Sequence, residues 1–193
     1  HPRDKADTVG RIVLGVDLKI VNPEGNEVAI GETGEIISRG PFLMSGYYNN
    51  EIETNAYFPK GDGWGWTGDL AKKDADGFIT LVGRSKDMIV SGGVNIYPRE
   101  VEVVLEKHDA IIDCTVFGIP DDQWGEALVA YIVPDNTSAS DENAILDHCT
   151  AHLARFKRPK YIRIVDSIAK TPSGKVQKPI LRETFLQELS PPE

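Results

Sequence analysis

The sequence is poor in cysteine and has no long apolar run. Two cysteines, Cys114 and Cys149, occur in 193 residues, which excludes a disulfide-rich secreted scaffold. No apolar run approaches the ~18 residues that a membrane-spanning helix needs. The first residues hold neither an initiator Met nor an apolar signal core, and the last ones hold no retention or lipidation motif. We therefore expect a reduced, cytoplasmic protein without a transmembrane segment, and a chain that is part of a longer one.

The charge is acidic overall but basic in one segment. Hydrophobic residues make up 40% of the chain and charged residues 26%, a mixture typical of one or two globular domains. The net charge of −9 argues against a nucleic-acid partner. The segment from Arg155 to Arg182 nevertheless contains nine basic residues and one acidic residue. Such a segment favours a small phosphorylated ligand over a long polyanion, which the rest of the chain would repel.

Hydrophobic patterning changes character after Gly83. Before it, the alternation in residues 11–39 and the hairpin pattern from Leu70 to Val82 predict strands, with a short helix from Asn49 to Phe58 between them. After it, strand and helix patterns alternate, which is typical of an α+β domain. We predict an α+β fold with a β-rich piece in residues 1–85 and a small α+β domain in residues 86–193, built on a mixed three-stranded sheet with helices. The strands of that sheet are expected at Ile111 to Ile119, Leu128 to Val133 and Tyr161 to Val165, and its helices from Pro98, from Ser140 to about Leu153, and from Pro179 to Leu189.

Two motifs point to chemistry that their context does not support. Gly63 to Gly68 matches G-x-G-x-x-G, but no strand precedes it and a hairpin follows, which argues against a dinucleotide fold. His148 and His152 flank Cys149 at helical spacing, yet no further ligand cluster accompanies them. We predict no metal site in this chain.

Two charged residues of the first part are candidates for a nucleotide site. Asp69 ends the stretch Trp66-Thr-Gly-Asp, where a carboxylate beside a glycine could accept hydrogen bonds from both hydroxyls of a ribose. A simple turn cap remains the alternative. Arg84 could bind ribose or phosphate oxygens, and a surface ion pair is its alternative.

The second part contains three further stretches that packing alone does not explain. Gly92 and Gly93 remove two side chains where a backbone could pass close to a narrow ligand. Lys175, in the loop Pro172-Ser-Gly-Lys, presents a point charge suited to a reacting phosphate. Aromatic faces beside an Arg–Lys pair suit a purine with phosphates, and this third set is Trp124, Phe156, Arg158 and Lys160.

The order and spacing of these motifs resemble the C-terminal end of the acyl-activating, adenylate-forming enzymes. The matching motifs are Thr-Gly-Asp, Gly-Arg-x-x-Asp, Gly-Gly-x-Asn-x-x-Pro-x-Glu-Val-Glu and Pro-x-Gly-Lys. That family includes acyl-CoA synthetases, peptide-synthetase adenylation domains and luciferases. The resemblance covers essentially the whole chain, with residues 1–85 similar to the end of the large domain and 86–193 to the mobile small domain.

The resemblance implies a role for each matching residue. Asp69 and Arg84 would bind the ATP or AMP nucleotide, Lys86 would be the hinge of the small domain, and Lys175 would be the catalytic lysine of adenylation. The remaining candidates would bind CoA: Gly92, Gly93 and Asn95 along the pantetheine, and Trp124, Phe156, Arg158 and Lys160 at the adenine nucleotide. The implied cofactors are ATP/AMP, CoA and Mg²⁺, with the Mg²⁺ ligands expected mainly in a missing N-terminal part.

The implied function is an ATP-dependent acid–CoA ligase that forms acyl-AMP and then acyl-CoA from a fatty or aromatic acid. The family's Ser/Thr/Gly-rich phosphate loop and its acyl pocket are not in this sequence, so we expect the chain alone to be inactive and to need the N-terminal part of the same enzyme. Two alternatives stay open: an acyl-AMP ligase that loads a carrier protein, and a non-catalytic nucleotide- or CoA-binding module. The sequence leaves the acyl substrate and the oligomeric state open, a homodimer included.

Overall fold

Alternating apolar residues of the first part form an antiparallel sheet. The computed structural model describes residues 5–135 and 142–189, which fall into two units that divide between Lys86 and Asp87. In the first unit, four strands pair in chain order, and Ile20, Ala71 and Ile79 form its buried core. The β-rich pattern predicted for this part is confirmed. The strands are β1 (Asp17–Val21), β2 (Gly34–Arg39), β3 (Gly65–Lys73) and β4 (Ile79–Arg84).

A short helix connects β2 to β3. Helix α1 (Glu51–Tyr57) begins after Asn50, whose side chain accepts a hydrogen bond from the Glu53 backbone N–H. Glu51 and Glu53 lie in its first turn, where negative charge interacts favourably with the helix dipole. The helix predicted between Asn49 and Phe58 is confirmed.

The second unit is built on a mixed sheet, and the α+β class is confirmed. Its strand order is β6-β5-β8-β7, with β9 lying parallel beside β8. The described sheet therefore has five strands, where the sequence predicts three. The two additional strands are three residues long each, too short for a periodic signal, and they flank a glycine pair that favours a loop. The strands are β5 (Ile89–Ser91), β6 (Val94–Ile96), β7 (Ile111–Asp121), β8 (Gly125–Pro134) and β9 (Tyr161–Ile164).

Helices cover both faces of this sheet. In β7, Val116 packs in the same cluster as Leu105 of α2, whereas the next residue, Phe117, packs with Phe185 of α4. Side chains alternate across a strand, so α2 and α4 lie on opposite faces. The helices are α2 (Pro98–Leu105), α3 (Glu142–His152) and α4 (Lys178–Leu189); the predicted start of α3 at Ser140 lies outside the described residues. None of the described helices has the length and hydropathy needed to cross a membrane.

Candidate functional site

A three-residue bulge in β3 carries Asp69. Its neighbours in the sheet place Thr67, Gly68 and Asp69 together opposite the single residue Ile36 of β2. Gly68 has a φ of +73°, a backbone conformation that glycine adopts without a steric penalty. Bulges of this kind change the direction of a side chain at the edge of a ladder. The Thr-Gly-Asp stretch is therefore a local break in the sheet, and not a turn between strands.

Side chains around the bulge hold it in place. The Glu35 carboxylate accepts a hydrogen bond from the Gly68 N–H at 2.9 Å. The Thr67 hydroxyl donates to the Ile36 carbonyl and accepts from the Asp69 N–H. Burial raises the pKa of Glu35, the Gly68 N–H opposes that shift, and the nearby charge of Asp69 adds to it. The main-chain N–H groups of Gly68 and Asp69 thus both have side-chain acceptors, which fixes the backbone under Asp69.

Asp69 and Arg84 form an ion pair across the β3–β4 hairpin. The two residues are direct partners in the register, and the Arg84 Nε lies 3.0 Å from Asp69 Oδ1. The Asp69 side chain is 34% exposed and the Arg84 side chain 48%. The structure therefore brings these two candidates together with their charges accessible to a polar ligand, and the second Asp69 oxygen can accept hydroxyl donors.

Lys86 lies where the chain passes from the first unit to the second. It is the central residue of a 3₁₀ turn, Ser85–Asp87, and its side chain is exposed. The hinge role assigned to it remains a prediction.

Gly92 and Gly93 form the tight turn between β5 and β6. Their φ values are +58° and +78°, and two successive positive values are the mark of the type I′ turn that suits two-residue hairpins. The Gly92 N–H donates to the Trp124 carbonyl at 2.8 Å. A Cβ at Gly92 would lie 3.0 Å from the Trp124 ring, whereas one at Gly93 would meet nothing within 4 Å. The turn conformation thus favours glycine at both residues, and a side chain at Gly92 would in addition displace the Trp124 ring.

A cavity of about 540 Å³ lies beside this turn, within the range usual for small-molecule sites. It brings together five of the CoA candidates, Gly92 among them. Gly93 and Asn95 are not part of its lining; Asn95 lies on β6 opposite Val90. The lining residues are Ser91, Gly92, Val94, Trp124, Ala127, Leu128, Arg155, Phe156, Arg158 and Lys160.

Two of the cavity's cations already have partners within the protein. The Arg158 guanidinium donates to the carbonyls of Leu153 and Thr150, at the C-terminal end of α3. There it satisfies carbonyls that have no partner within the helix. Lys160 pairs with Asp121 at 2.5 Å, a contact that raises the pKa of Lys160 and lowers that of Asp121.

Arg155 is the charged cavity residue that sequence analysis did not name as a candidate. It lines the cavity beside Phe156, and its guanidinium makes no hydrogen bond or ion pair within the part of the chain that the structure describes. Its charge is therefore available to an anionic ligand. The only sequence signal was its membership of the basic segment that begins with it, since no motif distinguishes it from Arg158.

Lys175 lies on a tight hairpin that precedes α4. Lys170 and Val176 pair as an isolated bridge, and the Thr171 N–H donates to the Lys175 carbonyl at 2.7 Å. The Lys175 N–H donates in turn to the Thr171 hydroxyl at 3.1 Å, while Gly174 has a φ of +82°. Among the described residues the exposed Lys175 ammonium has no ionic partner. The hairpin thus fixes the backbone of this residue and leaves its charge free.

The residues described here contain no group of three or more His, Cys, Asp or Glu side chains arranged to hold a metal ion. His148 Nε2 lies 2.9 Å from the Val104 carbonyl, and His152 Nδ1 lies 2.9 Å from the His148 carbonyl. Each of these two rings therefore has one nitrogen engaged with a backbone carbonyl, as expected of a packed helix surface.

Comparisons with known proteins agree with these motifs. Residues 100–175 match the family model described as AMP-binding enzyme C-terminal domain, and residues 1–48 match the one described as AMP-binding enzyme. The chain is 40% identical, over 96% of its length, to the medium/long-chain-fatty-acid–CoA ligase FadD8 of Mycobacterium tuberculosis, of which it covers 33%. It is 38% identical, over 95% of its length, to the indoleacetate–CoA ligase of Aromatoleum aromaticum, of which it covers 37%. The chain thus spans about a third of the length of these relatives.

Solved structures give the same result. ATP-bound MatB from Rhodopseudomonas palustris matches with a TM-score of 0.88 at 34% identity, over 95% of this chain and 37% of that one. The anthranilate CoA ligase AuaEII in complex with anthranoyl-AMP matches with a TM-score of 0.84 at 35% identity, over 94% of this chain and 36% of that one.

Proposed function

The chain belongs to the AMP-binding, adenylate-forming enzymes, and on that premise we propose that it is the C-terminal part of an ATP-dependent acid–CoA ligase. The observation that carries the proposal is that one unit contains both a free ammonium on a rigid hairpin, at Lys175, and an aromatic, cationic cavity beside Gly92. The first suits a reacting phosphate and the second a nucleotide-bearing thiol such as CoA. The relatives named above are acid–CoA ligases by their descriptions.

In the first half-reaction, a carboxylate oxygen of the acid attacks the α-phosphorus of ATP, and the bond to pyrophosphate breaks. Asp69 would accept hydrogen bonds from the ribose hydroxyls, with Arg84 holding that carboxylate in place through their ion pair. The Lys175 ammonium would stabilise the negative charge that develops on the phosphate oxygens. ATP enters as its magnesium complex, and the ligands of that ion would come from the part of the enzyme outside this chain.

In the second half-reaction, the CoA thiolate attacks the acyl carbonyl and AMP leaves. The pantetheine would pass the Gly92 turn, and the adenine nucleotide would lie in the cavity against Trp124 and Phe156. Arg155 would contact a phosphate, since it is the cavity cation without an internal partner in the described structure. A swivel at Lys86 would exchange the Lys175 hairpin for the Gly92 face between the two steps, as in other enzymes that alternate conformations.

The acceptor is proposed to be free CoA, because a carrier-bound phosphopantetheine arm has no adenine to place between Trp124 and Phe156. The acid is proposed to be fatty or aromatic. Thioester formation by the full enzyme, compared between CoA and a holo-carrier protein, tests the acceptor. A clear preference for the carrier would contradict this assignment.

The proposed role of Lys175 is tested by separating the half-reactions in the full enzyme. In Lys175→Ala, acid-dependent pyrophosphate exchange should fall by roughly 10²- to 10³-fold, the usual loss for one preorganised charge-stabilising group. Thioester formation from supplied acyl-AMP and CoA should change little. Lys107→Ala, which removes an exposed lysine of the same unit, is the matched control and should leave both steps unchanged. Equal losses in the two half-reactions of Lys175→Ala would contradict the role.

A further inference from the structure

The outer edge of β7 is covered by side chains instead of a further strand. Among the described strands β7 pairs with β8 alone, so the main-chain groups on its other side need different partners. At Val116 the main-chain N–H and the main-chain carbonyl both form hydrogen bonds with charged side chains. The Val116 N–H donates to Glu102 Oε1 at 3.0 Å, and the Val116 carbonyl accepts from the Lys178 ammonium at 2.8 Å.

Glu102 and Lys178 also bind each other around that edge. Their Oε1 and Nζ atoms are 3.1 Å apart, and their side chains are 12% and 20% exposed. Glu102 belongs to α2 and Lys178 begins α4, helices that pack on opposite faces of the sheet. A charge pair this shielded is tolerated only when hydrogen bonds compensate for lost hydration, and Val116 supplies them. The first residue of α4 is therefore tied to the strand edge.

A second ion pair ties the other end of the Lys175 hairpin to the same strand. The Lys170 ammonium contacts Asp113 Oδ2 of β7 at 2.5 Å. The hairpin from Lys170 to Val176 thus has two attachments to β7, one at its first residue and one at Lys178, two residues after its last. Since the Lys175 side chain itself has no described partner, its placement depends on the backbone that these attachments hold.

We propose that Lys178, with Glu102, is a positioning pair that fixes the hairpin so that Lys175 is presented for adenylation. Neither residue touches the nucleotide in this role. The inference rests on the proposed function, and it explains why Lys178, three residues from Lys175, belongs to a largely buried charge pair. A charge that stabilises a transition state acts only when it is placed in advance, so loosening the hairpin should slow the step that uses Lys175 and spare the other.

The first test measures the hairpin directly, by hydrogen–deuterium exchange of the chain. In Lys178→Met the amides of Gly174 and Lys175, which donate within the hairpin, should exchange faster. Arg163→Met is the control, because Arg163 contacts Glu188 near the far end of the same helix, and there hairpin exchange should stay unchanged. Unaltered exchange in a folded Lys178→Met chain would overturn the proposal.

The second test measures the half-reactions of the full enzyme. Lys178→Met should reduce pyrophosphate exchange by about 10- to 100-fold and change thioester formation from acyl-AMP by no more than about twofold, as expected for a misplaced group. Lys178→Arg, which keeps the cation, should recover most of the loss. Equal losses in both steps, or no loss, would overturn the inference.

A double variant and the unsubstituted enzyme distinguish loss of folding, failure of the proposed function and failure of the positioning role. Among the described residues, Lys178→Met leaves the Glu102 carboxylate with only its longer ionic contact to Arg99 at 3.9 Å and could unfold for that reason. The double variant Glu102→Gln/Lys178→Met removes both charges of the pair and should show the same selective loss. Loss of both steps in a folded double variant overturns the inference. Failure of the unsubstituted enzyme to form acyl-AMP would refute the proposed function itself. A normal unsubstituted enzyme with an unaffected Lys178→Met variant would refute only the positioning role.

Discussion

The variants Gly92→Ala and Gly93→Ala distinguish the contribution of the turn to stability from the contribution of the cavity to ligand binding. The two glycines are neighbours in the same hairpin turn with φ values of +58° and +78°. Alanine at either residue would have to adopt the left-handed region. Only the Gly92 methyl would approach a neighbour, at 3.0 Å from the Trp124 ring.

The magnitude of the stability change should be alike in the two variants. A residue with a Cβ in the left-handed region costs roughly 1–2 kcal/mol, so Gly92→Ala and Gly93→Ala should each lower the free energy of unfolding of the second unit by about that amount. Trp124 is 50% exposed, so its ring can move away from the new methyl without much extra strain. Urea unfolding followed by circular dichroism measures both values.

The effect on ligand binding should differ. Stacking of a base on an aromatic side chain contributes about 1–3 kcal/mol. In Gly92→Ala the displaced Trp124 ring should therefore weaken CoA binding about tenfold. In Gly93→Ala the Kd for CoA should stay within about twofold of that of the unsubstituted chain. Titration calorimetry of CoA into each chain gives the comparison. Equal affinities in the two variants would refute the placement of the CoA adenine against Trp124.

Three further predictions concern other parts of the chain. Lys86→Pro, which restricts the backbone, should impair thioester formation by the full enzyme more than pyrophosphate exchange; thioesterification that survives unchanged would contradict the hinge. Asp69→Asn should raise the KM for ATP by about 10- to 100-fold, since hydrogen bonds to a charged group contribute about 1.5–3 kcal/mol, and an unchanged KM would exclude ribose binding by Asp69. Burial raises the pKa of Cys114 to about 12 and also raises that of Cys149, so both should resist iodoacetamide at pH 8 in the folded chain and react once it is unfolded; mass spectrometry that finds rapid alkylation of the folded chain would contradict their burial.

The sequence predicts the α+β class and most strands because their signals are local. In β7 and β8, apolar runs long enough to be buried on both faces stand out against charged flanks, and the Asn50 cap marks the start of α1. Strands β5 and β6 are not predicted, because each is only three residues long and shows no hydrophobic period. Their antiparallel pairing depends on a turn with positive φ values at Gly92 and Gly93, which a sequence does not display.

The candidate site is likewise predicted from the sequence only in part. Motifs identify Asp69 and Arg84, and the register then shows that they pair. No motif indicates that Arg158 is bound to the end of α3 while Arg155 has no side-chain partner among the described residues, because that difference arises from helix packing. The contact between Glu102 and Lys178 joins residues 76 apart in the sequence, and it exists only once α2 and α4 have packed on the two faces of the sheet.

The cavity beside Gly92 has walls from three separate stretches of the chain, residues 91–94, 124–128 and 155–160. These stretches come together only when β9 has docked against β8, so the cavity disappears as soon as the second unit melts. A ligand that occupies it should therefore act as a thermal protectant for that unit, by about 2.7 kcal/mol at a hundredfold excess over Kd. The first unit contributes no residue to these walls, so its melting temperature should not change.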